Sequence, residues 1–515
     1  MRKRTIFSTV LALMAISVGS ANAIGLDYYQ TLVTKQNAAP SGQSHVFDMH
    51  YYEDGSLLLV ANYQTDTTAG DGILEFAGKT FDAALGNRKG NGGSRYRLKN
   101  YRNAILAKLD EQGEISWSVV DSTFDYDLSA SAIMPTKNGG AIFAEKGKDA
   151  EGRYWTYINL YSNTGQFLDG GYVMADFEQK PFMTKEPKDS YAWIELTQDT
   201  VGNTYLVGYQ AGDLIPRANK DTVRARTTTW DGEGSQKSSF ANTVILKYDK
   251  NMFFAGATSY IEDLVYDRPN GIHYENGKLY VAGVYGKENE NGFYAARYNT
   301  NLELEDIQYH PVTGSINQQQ TKFINGKIYI CGGLGKNGSI TIGDKTINTG
   351  DQNNNNGLIY VINQADGQAL TAAVKDDVFG LTIAAYPEED GVVAYYYGPM
   401  GKNIVLHYDA DMNLLKQDTI ATGGGLSITT CVARTADGTQ TALGLRPQAS
   451  SDFDMLGIKL RPNSTNWYSV VATLSENGKM GCENIKADNE KAVKFIENGQ
   501  LFIRYKGKVY NILGY

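Results

Sequence analysis

Two loops carry the residues best suited to chemistry. Arg88, Arg95, Arg97, Tyr101 and Arg102 fall between Thr65 and Asn103, and Arg217, Arg224, Arg226 and Trp230 fall between Gln210 and Asn242. A guanidinium presents forked donors that match carboxylates, and an aromatic ring takes the apolar side of a ligand or stacks on a cation. Interleaved in this way, the residues suit an anionic, partly apolar ligand such as an acidic glycan or a protein patch. The plain alternative is a pair of solvated basic loops. His50 in DMHYYEDG and His273 in GIHYENG form a second constellation, since they sit at similar places ahead of two Gly turns. A metal site there would need a third ligand, such as Asp48 or Asp267, and no ligand spacing announces one. Two channel or core histidines are the simpler reading. No metal and no cofactor is expected.

Other reactive patterns are missing. No G-x-S-x-G or H-E-x-x-H occurs. GNRKGNGG from Gly86 is Gly-rich but does not match the phosphate-cradling G-x-x-x-x-G-K-[ST]. TGDQNNNNG from Thr349 lacks the spacing of a calcium loop and reads as a polar loop. Carboxylates such as Glu262, Asp263 and Asp267 could serve glycoside cleavage only at a set separation in space.

The elements that must position these residues repeat. A Gly turn followed by an apolar run occurs as EDGSLLLVAN from Glu53, KNGGAIFAE from Lys137, VGNTYLVGY from Val201 and ENGKLYVAG from Glu275. It returns as INGKIYICGG from Ile324, EDGVVAYYYG from Glu389 and ADGTQTALGL from Ala436. A second phrase, strand then Asp/Asn turn then strand, follows each copy: AILAKLDEQGEISWSVV from Ala104, VILKYDKNMFFAGA from Val244 and IVLHYDADMNLLKQD from Ile404 are examples. Its seventh copy, MLGIKLRPNSTNWYSVV from Met455, is degenerate. Two hairpins per unit make four antiparallel strands, and four-stranded sheets in tandem are the blades of a β-propeller. The expectation is an all-β chain with seven blades across residues 45–476. Six or eight blades stay open, because terminal repeats diverge most.

Loops between the second and third strands are long in blades one, three and five and short in the others. By fold analogy they should meet on one face, around the channel mouth. GILEFAGKTFDA from Gly72 and GSITIGDKTINTG from Gly338 each read as an extra hairpin within such a loop. The segment Tyr28 to Lys35, within residues 24–44, alternates and could supply the outer strand of the last blade, which would remove an open edge.

Residues 1–23 read as a signal peptide: Arg2, Lys3 and Arg4, then an apolar stretch, then Ala21-Asn22-Ala23. An exported chain without a membrane span is expected, in the periplasm, at the outer-membrane surface or secreted. Removing the three basic residues takes the net charge from -9 to about -12, which argues against nucleic-acid binding. Cys331, Cys431 and Cys482 are too few for a disulfide framework, and the first two read as buried small hydrophobes.

AKLDEQGEISW, LKYDKN and LHYDADMNLL resemble the short propeller repeats of secreted bacterial proteins. GKIYICGGLG superficially resembles a kelch repeat. Residues 477–515, with NGQLFIRYKGKVYNILGY, read as a short C-terminal β-ribbon. They resemble the C-terminal tails of secreted Bacteroidales proteins, which implies a sorting module for type IX secretion. Together these readings point to a non-catalytic binding module with an unidentified glycan or protein partner. The alternatives are a polysaccharide hydrolase or lyase at the channel mouth, and a structural or adhesive surface protein.

Overall fold

The structure is a computed structural model. It describes residues 24–36, 39–40, 42–65, 72–82, 103–121, 126–148, 154–176, 191–210, 213–216, 222–223, 242–259, 261, 266–287, 289–351, 356–376, 380–398, 401–423, 428–448, 452–460, 467–476, 493–497, 500–505 and 508–511. Residues 1–23 and Cys482 lie outside these.

Seven antiparallel sheets form the blades of a β-propeller. Blade 1 comprises Gln43–Tyr51, Leu57–Gln64, Asn103–Leu109 and Ile115–Asp121. Blade 2 comprises Tyr126–Pro135, Ala141–Lys148, Tyr154–Tyr161 and Phe167–Asp176. Blade 3 comprises Tyr191–Gln198, Thr204–Gln210, Asn242–Tyr248 and Phe254–Ser259. Blade 4 comprises Tyr266–Glu275, Lys278–Lys287, Glu290–Asn299 and Leu304–Thr313. Blade 5 comprises Ile316–Ile324, Lys327–Leu334, Asn356–Asn363 and Ala369–Lys375. Blade 6 comprises Leu381–Glu388, Gly391–Tyr397, Asn403–Asp409 and Leu414–Gly423. Blade 7 takes Ile428–Arg434, Gln440–Arg446 and Ser469–Glu476, and its fourth strand is Ile24–Gln36 from the start of the fold. Each first strand touches the first strands of both neighbouring blades, in a closed ring around an axial channel.

Local chemistry explains the strands. In ENGK and INGK, Asn276 and Gly277 have φ of 50° and 79°, and Asn325 and Gly326 have 52° and 69°. Two positive φ values in succession define the tight turn whose twist matches a hairpin, and Asn-Gly adopts it at least cost. Every first strand is interrupted by a β-bulge near its middle, as between Val46 and Asp48, Trp193 and Glu195, Pro269 and Gly271, and Thr429 and Cys431. A bulge bends and twists its strand, which suits strands that crowd an axis. The fourth strands carry a bulge near their start, and Ile24–Gln36 carries one between Leu26 and Tyr28, as a fourth strand should.

Adjacent blades interlock by exchanging size. Gly113 and Gly165 end the strand 3–4 turns of blades 1 and 2, and a Cβ there would meet Tyr28 at 2.5 Å and Trp117 at 2.9 Å. Blades 3, 4 and 6 instead place Met252, Leu302 and Met412 at positive φ and bury them. The strained side chain fills the space that an aromatic ring takes elsewhere. Leu302, for example, reaches Gly256 of the preceding blade. Many of the described tyrosines go inside: Tyr63, Tyr205, Tyr248, Tyr285, Tyr294 and Tyr360 are all fully buried.

Two expectations about loops need correction. The described parts of the long strand 2–3 loops do not gather at the channel mouth. They run outward and add strands to the fourth strand of the preceding blade. Gly72–Phe76 and Lys79–Asp82 extend blade 7, Asp213–Pro216 extends blade 2, and Ser339–Ile342 with Lys345–Asn348 extends blade 4. An open fourth-strand edge offers unmet hydrogen-bonding groups, and these insertions satisfy them. The loop of blade 7 is not short either. Met455-Leu456-Gly457-Ile458 is the turn of a hairpin on blade 6, with Leu456 and Gly457 at φ of 49° and 86°, and the third strand of blade 7 is Ser469–Glu476.

Cys331 and Cys431 are buried free thiols. Val493–Glu497, Gln500–Tyr505 and Lys508–Asn511 form a separate three-stranded ribbon. Among the described residues, no helix is long and apolar enough to cross a membrane.

Candidate functional site

Because strands 1 and 3 of each blade run the same way, the strand 1–2 and 3–4 turns share one face of the ring. The strand 2–3 loops lie on the other. The first strands deliver their last residues to the axis on the turn face, and there the channel opens into a cavity of about 1280 Å³. Blades 1, 5, 6 and 7 line it. Tyr51, Phe323 and Tyr386 form part of its wall, and Glu53, Glu389, Asp390 and Asp437 stand on the turns around it.

Along the same strands, deeper in the channel, lies a cluster of ionisable groups from blades 1, 3 and 5. Asp48 Oδ2 and His50 Nε2 are 3.1 Å apart. Burial opposes charge on Asp48, but His50, Lys322 and the Met49 amide outweigh it and hold the carboxyl below its usual range. Glu195 behaves oppositely. Burial pushes it up to about 7, although Lys322 and His50 pull the other way and the Ile272 amide donates to Oε2 at 3.2 Å. Gly271 makes room for that contact, since a Cβ there would lie 2.9 Å from Glu195 Oε2 and 2.9 Å from the Phe323 ring. Burial also works against the Lys322 ammonium, yet Tyr386, Glu195, Asp48 and Cys431 keep its pKa above the ordinary value.

A second network runs outward from the mouth. Arg434 Nη2 of blade 7 donates to Glu388 Oε1 of blade 6 at 3.3 Å, and Glu388 Oε2 meets His407 Nδ1 at 3.1 Å. His407 Nε2 is 3.6 Å from Asp418, which pairs with Lys416 at 2.8 Å. Burial disfavours the Glu388 anion, but His407 and Arg434 hold its pKa below the usual range. Arg434 and His407 of the wall are thus both engaged by Glu388, and the turn carboxylates leave the mouth acidic.

His50 and His273 both lie on first strands. His50 pairs with Asp48, while His273 stacks on Phe323 with ring centroids 5.6 Å apart, and burial lowers its pKa. Asp267 does not join them. It is buried at the far end of its strand, where it accepts from Asn242 Nδ2 at 3.1 Å and the Thr243 amide at 2.8 Å. Among the described residues no group of three His, Cys, Asp or Glu is placed to hold a metal ion. Arg88, Arg95, Arg97, Tyr101, Arg102, Arg217, Arg224, Arg226 and Trp230 lie outside the described residues. Glu195, Lys322, Glu388 and Arg434 were not singled out by the sequence. Their signal was a charge in the last part of a first strand, within a few residues of its turn.

The class that this geometry defines is a seven-bladed β-propeller with an acidic axial mouth. No protein-family model matches the chain, and no curated protein matches it. Among solved structures it is similar to the Dos1 propeller, at 11% identity over 88% of this chain and 96% of that one, with a TM-score of 0.42. It is also similar to an ulvan lyase, a polysaccharide lyase, at 10% identity over 80% and 93%, with a TM-score of 0.42. A third is prolyl oligopeptidase B from Galerina marginata, at 9% identity over 90% and 54%, with a TM-score of 0.36. At such identities the likeness concerns the chain path and not the activity.

Proposed function

We propose that the protein is an exported, non-catalytic binding module whose ligand occupies the axial mouth on the turn face. The cavity of about 1280 Å³, built by four blades, carries this reading. Its size suits an oligosaccharide or a peptide segment better than a small metabolite. The acidic rim favours neutral or cationic groups. An anionic glycan would instead belong to the Arg-rich loops around Arg95 and Arg224, as the sequence suggests.

The two sites predict opposite charge preferences, which one screen separates. The chain would be tested against neutral, anionic and cationic oligosaccharides and peptides, wild type beside Glu389→Lys/Asp390→Lys. Binding of a neutral or cationic ligand that the double variant changes at least tenfold supports the mouth. Binding that only loop substitutions such as Arg95→Ala disturb moves the site to those loops. Newly formed chain ends in any mixture would instead favour cleavage, with Asp48, His50, Glu195 and Lys322 as the groups to test. Glu195, at about 7, is the observation that keeps this second reading open.

A further inference from the structure

We propose that the acidic mouth also receives a segment of the chain itself, the C-terminal ribbon of Val493–Glu497, Gln500–Tyr505 and Lys508–Asn511. This goes beyond the binding reading and does not depend on it.

The first ground is where the tail leaves the ring. Gln440 lines the cavity and pairs with Ser475. The third strand of blade 7 ends one residue later, at Glu476, on the turn face. The tail therefore departs beside the mouth. Residues 477–492 reach up to about 50 Å when extended, ample to bring the ribbon back over the axis.

Charge is the second ground. From Lys491 onward the tail holds Lys494, Arg504, Lys506 and Lys508 against a single acidic residue, Glu497. The whole chain has the opposite balance, at -9. The turn carboxylates Glu53, Glu389, Asp390 and Asp437 offer the complementary field.

The third ground is apolar. A sheet of three short strands is marginal on its own, and this one carries Phe495, Leu501, Phe502 and Ile503 in its sequence. On the turn face, blade 6 exposes Leu414 and Leu415, at 44% and 67%. They begin the strand after the 3–4 turn, at the same end of the blade as Glu389 and Asp390. One surface thus offers apolar area beside negative charge, to a ribbon of apolar and basic residues.

The test is zero-length carboxyl-to-amine crosslinking of the full chain at low concentration, read by peptide mass spectrometry. Docking predicts intramolecular links from Lys494, Lys506 or Lys508 to Glu389, Asp390 or Glu53, with yields falling several-fold in high salt. Lys494→Glu/Lys506→Arg/Lys508→Arg should keep part of the effect through charge, read as protection of the 477–492 segment from protease. Lys494→Glu/Lys506→Glu/Lys508→Glu should lose that protection. Combining the all-Glu tail with Glu389→Lys/Asp390→Lys should restore it. Links confined to the ribbon, links to the loop face, or links only between two copies would each overturn docking in cis. So would a reversed tail that stays as protected as wild type.

Discussion

The seam between blades 7 and 1 and the seam between blades 3 and 4 do the same work with different means. At the 7/1 seam, backbone crosses the boundary. The blade 1 loop lays Gly72–Phe76 along Ile24–Gln36, from Leu32↔Phe76 to Gln36↔Gly72, and buries Leu74 and Phe76. Lys79 Nζ of this insertion donates to the Ile115 carbonyl of blade 1, and Tyr63 Oη of blade 1 donates to the insertion's Asp82 carbonyl. No such strap crosses from blade 4 to blade 3 among the described residues. That seam is stitched by buried side chains: Asp267 to Asn242 and Thr243, Thr243 to Tyr294, Glu195 to the Ile272 amide, and Thr197 to the Tyr274 amide. A strap distributes its contribution over many backbone bonds and apolar contacts. A polar stitch concentrates it in a few groups that are costly to leave alone.

The sharpest way to break the comparison is therefore Asp267→Ala. Removing one buried carboxylate strands the Asn242 and Thr243 donors, and the loss should be about 3 kcal/mol by chemical denaturation. A loss below that of any strap variant would reverse the ranking. Leu74→Ala opens a cavity under the strap and should cost about 2.5 kcal/mol in the same assay, with limited proteolysis in residues 72–82 increasing. Ser44→Ala probes a polar contact inside the strapped seam. Ser44 Oγ donates to the Leu32 carbonyl and accepts from the Ser469 amide at 2.6 and 2.9 Å. With neighbouring backbone bonds intact, about 1 kcal/mol should be lost.

The smallest effect sharpens the contrast by pH. Glu195 of the stitched seam has a folded pKa of about 7 against an ordinary 4.5. Its favourable contribution is then full below 4.5 and is lost as pH rises through 7, because the unfolded chain ionises first. Glu195→Gln should flatten stability across that window and leave the slope outside it unchanged. An identical slope in wild type and variant would remove Glu195 from the seam's pH response.

How much of this was readable in advance follows from the range of each interaction. Hairpins such as ENGKLYVAG and GSITIGDKTINTG are set by neighbours in sequence, so their turns stood out. Where an insertion docks is decided by the edge of another blade, outside the run of residues that forms its own hairpin. Nothing in GILEFAGKTFDA names Ile24–Gln36 as its partner. MLGIKL misled because two short strands around Leu456-Gly457 look like one strand with a glycine in it. The channel charges were hidden for the same reason, since Asp48, Glu195 and Lys322 become a cluster only when three blades share an axis. The basic loops illustrate the converse. Composition alone marked Arg95 and Arg224, and a sign of charge is all that composition conveys.

The pairing of Ile24 with Glu476 ties the earliest strand of the ring to the latest. During translation Ile24–Gln36 can meet Gly72–Phe76 early, but its other edge has no partner until Ser469–Glu476 is made, and blade 7 cannot be completed before then. Contacts that close so long a stretch of chain are slow to form. The nascent protein must therefore pass through an open, six-bladed arc with one unmet edge of that strand at its end, the state most exposed to mispairing with another copy. Moving the chain's ends to a gap between two complete blades would make every sheet local, and should speed folding without altering the finished ring.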